Sequence, residues 1–233
     1  MRRAQKRESV DSSLAGLRRR FHIVRSELMI AGCRLEIFRP RSADELISED
    51  DFNRDERLPH WAEIWASSIA LAERLATETG TGRRLLELGC GVGLVSAIAA
   101  VNGFDVTATD YYVEALEFTQ FNSIHNGQAP PTTRLVDWRD FPKDLGRFDF
   151  VVASDVLYER TYAELVAAAF AATLAPQGIG LLADPQRQNA ALFPDACRRE
   201  GLKILRMSGI QIGFGEKQQT IDLCELGRSE IQI

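Results

Sequence analysis

Residues 85–93 read LLELGCGVG: the apolar Leu85, Leu86 and Leu88 give way to Gly89-Cys90-Gly91-Val92-Gly93. A second apolar run, Leu94 to Ala100, follows at once. This order predicts a buried strand, a tight loop and a helix start. Glycine has no Cβ and reaches positive φ without steric cost, so a ligand can lie against the loop backbone. Free N–H groups at the start of the next helix are expected to face that ligand. The loop is the predicted binding site.

Its spacing bears on the ligand. A dinucleotide fingerprint reads G-x-G-x-x-G after a strand, with an acid about 20 residues on that holds a ribose. The acid is present as Asp110, closing the run Val106-Thr107-Ala108-Thr109, but Gly93 comes one position early for the third glycine. Glu87 lies in the strand just ahead of the turn. Its carboxylate disfavours a pyrophosphate and favours a cation. A nucleoside that carries a positive charge, as in S-adenosylmethionine, suits both features. Asp110 has a second reading, as the N-cap of a helix over 113–126.

Outward from the loop, strands alternate with helices. Strands are predicted at 84–88, 104–109, 132–136, 148–153, 179–183, 202–207 and 219–225. A loop at Gly213-Phe214-Gly215 is expected to make a terminal hairpin of the last two. Trp61, Ile64, Trp65, Ile69, Leu71 and Leu75 recur at helical spacing, which predicts a helix over 62–78. Asp137-Trp138 and Ser154-Asp155-Val156-Leu157-Tyr158 close the third and fourth strands, the ends at which open α/β sheets bind ligands. Either pair could instead be a packed turn or a helix cap. Ser154 or Asp155 would cap a helix at 160–174. Asp184-Pro185-Gln186-Arg187 is a candidate substrate-rim loop.

Composition narrows the class. The 233 residues, 45% hydrophobic, fit one α/β domain with a decorated N-terminus. No run approaches the roughly 20 apolar residues of a membrane span, and no secretory leader is visible. A formal net charge of −5 argues against a general nucleic-acid surface. Cys33, Cys90, Cys197 and Cys224 are scattered, as expected of free thiols in a reducing compartment, so a cytoplasmic location is expected. Three histidines make a His-rich metal site improbable, and no metal is expected. Residues 1–20 read as a basic, solvated, flexible arm with room for a short helix. Residues 21–56 read as a β-hairpin and an acidic linker, and 57–233 as the main domain.

LLELGCGVGLVS followed by VTATD resembles motif I and the second-strand acid of class I S-adenosylmethionine-dependent methyltransferases. PHWAEIWASSIALAERL, VDW at 136–138 and SDVLY at 154–158 resemble the seven-β-strand protein-lysine methyltransferases. That family carries D/E-x-x-Y/F after its fourth strand, matched by Asp155 to Tyr158. The resemblance implies a Rossmann-like, doubly wound seven-stranded sheet with the last strand inserted antiparallel, behind the N-terminal hairpin. It implies S-adenosylmethionine as cofactor, bound by Trp65, Glu87, Gly89, Cys90, Gly91, Gly93, Asp110, Tyr111, Asp137, Trp138 and Ser154. It implies Asp155 and Tyr158 as catalytic residues. Trp65 matches a pocket tryptophan of the family, although such a residue also serves as core.

The implied acceptor is a lysine of a protein substrate. It must arrive neutral, with Asp155 orienting it and Tyr158 lining its channel. A small-molecule amine acceptor on the same fold stays open, since fold does not set substrate. So do a non-catalytic cofactor-binding scaffold and an NAD-binding enzyme, the last opposed by Glu87 and the glycine spacing. The N/D-P-P-Y/F set of DNA amino-methyltransferases is absent.

Overall fold

The computed structural model describes residues 2–46, 59–214 and 217–229, with side chains from residue 11 onward except at 214 and 217. Most of the acidic linker and Gly215 of the terminal hairpin loop lie outside the described residues.

The chain opens with α1 (Arg2–Arg20) and the hairpin β1 (Ile23–Ile30) and β2 (Cys33–Pro40). The main sheet holds β3 (Arg84–Leu88), β4 (Asp105–Asp110), β5 (Thr132–Leu135), β6 (Phe148–Ser154), β7 (Leu174–Asp184), β8 (Leu202–Phe214) and β9 (Lys217–Arg228). Helices α2 (Ala66–Leu75), α3 (Leu94–Val101), α4 (Val113–His125), α5 (Tyr162–Thr173) and α6 (Phe193–Arg199) alternate with them.

Strand order is β5-β4-β3-β6-β7-β9-β8. β3 pairs in parallel with β4 on one side and β6 on the other, so the order reverses at β3. The crevice of such a sheet opens there, beyond the C-terminal strand ends. β9 runs antiparallel between β7 and β8. This is the seven-stranded arrangement expected from the sequence, with an antiparallel last strand. Leu85, Phe150, Val152 and Leu181 face one buried layer, and Leu86, Leu88, Val151 and Leu182 the other. That two-sided burial explains why these strands read as unbroken apolar runs.

The predicted helix over 62–78 is corrected. His60–Ala62 is a single 3-10 turn, Trp65 is extended, and α2 begins at Ala66. A continuous helix would set residues 61 and 65 on one face. Here both line the crevice from the turn and the extended residues after it instead: Trp61 is buried against Phe21 and Phe118, with ring centroids at 6.2 and 5.8 Å, and the Trp65 indole donates back to His60 O at 3.0 Å. The arm read as solvated is helical. Leu17 of α1 is buried, and Arg20 pairs with Glu114 and Glu117 of α4 at 3.2 and 2.5 Å.

Asn122 of α4 and Asn126, its C-cap one turn on, fix the hairpin. Asn122 accepts from Phe38 N at 2.9 Å and donates to Phe38 O at 2.8 Å. Asn126 makes the same pair with Glu36, at 3.0 and 2.9 Å. Residues 36 and 38 share an edge of β2, so two side-chain amides take the place of a neighbouring strand. Asn122 also donates to Val92 O at 2.8 Å, which ties the hairpin to the glycine loop.

Candidate active site

A crevice of about 300 Å³ opens over the C-terminal ends of β3, β4, β5 and β6. Every residue predicted to bind or react except Gly93, from Trp65 to Tyr158, lines it.

Gly89, Gly91 and Gly93 all have positive φ, at 72°, 52° and 82°. Gly93 is glycine for a packing reason. A Cβ there would lie 2.6 Å from Thr119 Cα on α4, closer than real contacts allow. Four of the five N–H groups of residues 89–93 are engaged inside the protein. Gly89 N and Cys90 N both donate to Thr109 O at 2.9 Å, Gly93 N donates to Cys90 O, and Gly91 N donates to Asp110 Oδ2. A loop whose donors are spent inside the protein is a poor cradle for pyrophosphate, which binds through such N–H groups.

Asp110 is a loop anchor and a crevice acid, not a helix cap. Oδ2 accepts from Gly91 N at 2.9 Å and Oδ1 from Tyr112 N at 3.0 Å, while the N-cap of α4 is Tyr112. The Tyr111 N–H bears on the same carboxylate, so of its roughly four acceptor sites about one remains for a ligand hydroxyl. Burial pushes its pKa up to about 6, against the pull of the backbone N–H groups. Glu87 is 1% exposed, accepts from Ser96 Oγ and is pushed up to about 8, first by burial and further by Asp110. A cation in the crevice would restore both charges.

The walls are aromatic. The Trp138 ring lies against Gly89, within 3.4 Å of where a Cβ would stand, and meets Tyr162 edge-on at 5.3 Å. Tyr111 packs on Tyr112 at 5.3 Å and faces the Arg139 guanidinium at 5.8 Å. Asp137 lines the crevice, but its carboxylate accepts from Arg139 N and pairs with the Arg139 guanidinium. Cys90 is buried, and Thr119 Oγ1 donates to its sulfur at 3.2 Å.

Beyond β6 the chain turns sharply. Asp155 has φ 60°, and its N–H donates to Ala183 O at 2.9 Å. Neither Ser154 nor Asp155 caps α5, which starts at Tyr162. The Asp155 side chain is 4% exposed and pairs through Oδ1 with Arg187 Nε and Nη2, both at 2.5 Å. Ser67 Oγ approaches Oδ2 at 3.4 Å. Burial raises the Asp155 pKa and Arg187 opposes that rise. Tyr158 packs edge-on against His60 at 5.2 Å and Tyr162 at 5.0 Å, and burial keeps its phenol protonated. Burial, then the Arg187 charge, lowers the His60 pKa below 6.5, so its imidazole is neutral at neutral pH.

Sequence reading did not single out Arg187, His60 or Ser67. The rim loop 184–187 was the one available signal. Among the described residues no three His, Cys, Asp or Glu side chains are grouped to hold a metal, and no helix is long and apolar enough to cross a membrane.

Known proteins are similar to this chain in sequence and in fold. A family model described as a methyltransferase domain matches residues 58–212. The mouse protein-lysine methyltransferase METTL21E is 31% identical over 114 residues, 43% of this chain and 46% of that protein. Mouse EEF1A lysine methyltransferase 3 is 31% identical over 145 residues, 58% of this chain and 60% of that protein. The chain thus spans about half the length of these curated relatives. Magnesium protoporphyrin IX methyltransferase from Synechocystis, solved with bound SAM, shares the fold with a TM-score of 0.57 at 19% identity, over 80% of this chain and 97% of that one. The family match extends from the turn before α2 into β8 and takes in the whole crevice: the chain belongs to the methyltransferase-domain family, on the seven-stranded fold of the class I S-adenosylmethionine-dependent methyltransferases.

Proposed function

We propose that this chain is an S-adenosylmethionine-dependent N-methyltransferase whose acceptor is a lysine side chain of a protein. One observation carries the reading. Three adjacent strand ends present a glycine loop at β3, an acid at β4 and a buried acid with a phenol three residues on at β6, all facing one crevice.

The residues fit the cofactor. Asp110 has an acceptor site left for a ribose hydroxyl, Tyr111 and Trp138 offer faces for a base, and Glu87 supplies a carboxylate for a cation. The inward-turned loop donors fit a ligand without a pyrophosphate. When bound, S-adenosylmethionine supplies a methyl group already activated on a cationic sulfur. The protein then has to orient the acceptor in line and exclude water. Asp155 accepts an N–H of the acceptor amine and aims its lone pair. Tyr158 keeps its proton and lines the channel, with His60 and Trp65 completing an aromatic wall.

The protein-lysine reading is supported by Asp155-Val156-Leu157-Tyr158 in its expected place and by the two lysine methyltransferase relatives. The four unpaired cysteines fit a reducing, cytoplasmic setting. Labelled methyl transfer into a fractionated lysate is the test. Label is expected in the protein fraction, on lysine, and absent with Asp155→Ala. Label confined to small molecules would reject the protein acceptor.

A further inference from the structure

The Asp155–Arg187 pair is an unusual partner for an acid expected to receive a cationic side chain. Arg187 does not itself line the crevice. It touches three residues that do: Asp155 by the ion pair, and the rings of Trp65 and Tyr158, each 6.0 Å from its guanidinium carbon. The contact is built from both strand ends. Asp155 adopts left-handed backbone after β6, and Gln186, the residue before Arg187, does so after β7, at φ 64°. Arg187 N donates to Asp184 Oδ1 at 2.7 Å, and Gln186 Nε2 donates to Asp222 Oδ1 at 3.2 Å, which hold the loop down. Non-glycine left-handed residues persist only where their surroundings over-determine them, and they cluster at functional sites.

A carboxylate alone would hold an incoming lysine as its ammonium, a form with no lone pair to accept a methyl group. A carboxylate whose own charge is matched by a fixed guanidinium attracts a cation less, and the guanidinium repels a second cation that approaches the same carboxylate. Its remaining oxygen can still accept an N–H from a neutral amine.

We propose that Arg187 is a specificity-determining positioning residue: by pairing with Asp155 beside the rings of Trp65 and Tyr158, it makes the acceptor end of the crevice select a neutral amine over an ammonium. The inference rests on the amine-acceptor reading above. The other charged or titratable groups facing the pair are His60 on its single turn, Glu159 after β6, Asp184 at the end of β7 and Asp222 on β9. His60 is neutral above its lowered pKa, and Asp184, pushed up to about 6 chiefly by burial, is ionised above that value.

The test uses the full chain labelled with 5-fluorotryptophan, saturated with S-adenosylhomocysteine and titrated with n-butylamine, the head of a lysine side chain. The Trp65 fluorine resonance reports binding. With an amine pKa of about 10.4, the neutral fraction grows about tenfold per pH unit from pH 7 to pH 9. The apparent affinity of the wild type is expected to rise by the same factor. Arg187→Gln exposes the Asp155 charge, so butylammonium binds and the dependence on pH flattens. Arg187→Lys restores the cation and the slope. Glu87, pushed up to about 8, titrates in this window, but it is common to all three proteins, so the difference in slope belongs to position 187. A flat wild-type profile, or an unchanged slope in Arg187→Gln, overturns the inference and leaves the amine reading standing. No butylamine response at any pH, with S-adenosylhomocysteine bound, overturns both.

Discussion

Asp110 Oδ2 accepts the backbone N–H of Gly91 at 2.9 Å, so the crevice acid and the glycine loop are one unit. Removing the carboxylate therefore takes away a ligand contact and loosens the loop together. Hydrogen bonds to charged groups contribute about 1.5–3 kcal/mol each. Asp110→Ala is expected to weaken S-adenosylhomocysteine binding by about a hundredfold or more. Asp110→Asn keeps one acceptor and should fall in between. Titration calorimetry measures both, and unchanged affinity in Asp110→Ala would remove Asp110 from the cofactor site.

Asp155→Ala separates chemistry from binding. General acid–base and orienting groups contribute about 10²–10⁴ in rate. A fall in kcat of at least about a hundredfold is expected, with S-adenosylhomocysteine affinity within about threefold of wild type. Single-turnover transfer alongside calorimetry reads the two. Loss of both together would make Asp155 a structural residue of the turn.

Glu87 predicts a pH-dependent stability of the ligand-free protein. Its folded pKa of about 8 exceeds the value of 4.5 for the unfolded chain. Below pH 4.5 both states hold the proton. From there to about pH 8 the folded state keeps a proton that the unfolded chain has lost, so stability falls as pH rises, and the loss is complete above about pH 8. Glu87→Gln removes the ionisable group. Its melting temperature should exceed that of wild type by several degrees at pH 8.5 and by less at pH 5.5, on a scale of about 2–4 °C per kcal/mol. A wild type and variant that track each other across this range would contradict the assignment.

The glycines sort by cause. At Gly93 a Cβ would strike the Thr119 backbone, whereas at Gly127, with φ 85°, it would meet nothing within 4 Å. Gly127→Ala should cost about 1–2 kcal/mol, the price of left-handed backbone alone. Gly93→Ala should cost at least about twice that or prevent folding. Urea denaturation compares them. Asn122→Ala, which strips partners from Phe38 N, Phe38 O and Val92 O, should lower stability by about 3 kcal/mol or more in the same experiment.

What could be read from sequence and what could not divide by range. The strand, the loop and Asp110 announce themselves through local spacing, and the sheet through two-sided burial that leaves unbroken apolar runs. Asp155 and Tyr158 are legible because three residues separate them. Arg187 is not, because its partner lies 32 residues away on a different strand end. The helix over 62–78 fails at its start because periodicity shows that Trp61 and Trp65 are four apart but not that Trp61 packs on Phe21, 40 residues earlier, or that the Trp65 indole donates back to His60 O. Asn122 is equally silent in the sequence, because its partner on β2 lies 84 residues away.

The central claim is a crevice made for a cationic nucleoside and not for a dinucleotide, and calorimetry on the full chain tests it most directly. S-adenosylhomocysteine and NAD are titrated separately into wild type and Asp110→Ala. The expected result is one-to-one binding of S-adenosylhomocysteine to wild type, weakened about a hundredfold or more in the variant, with no heat from NAD. Binding of NAD in place of S-adenosylhomocysteine, or of neither, would contradict it.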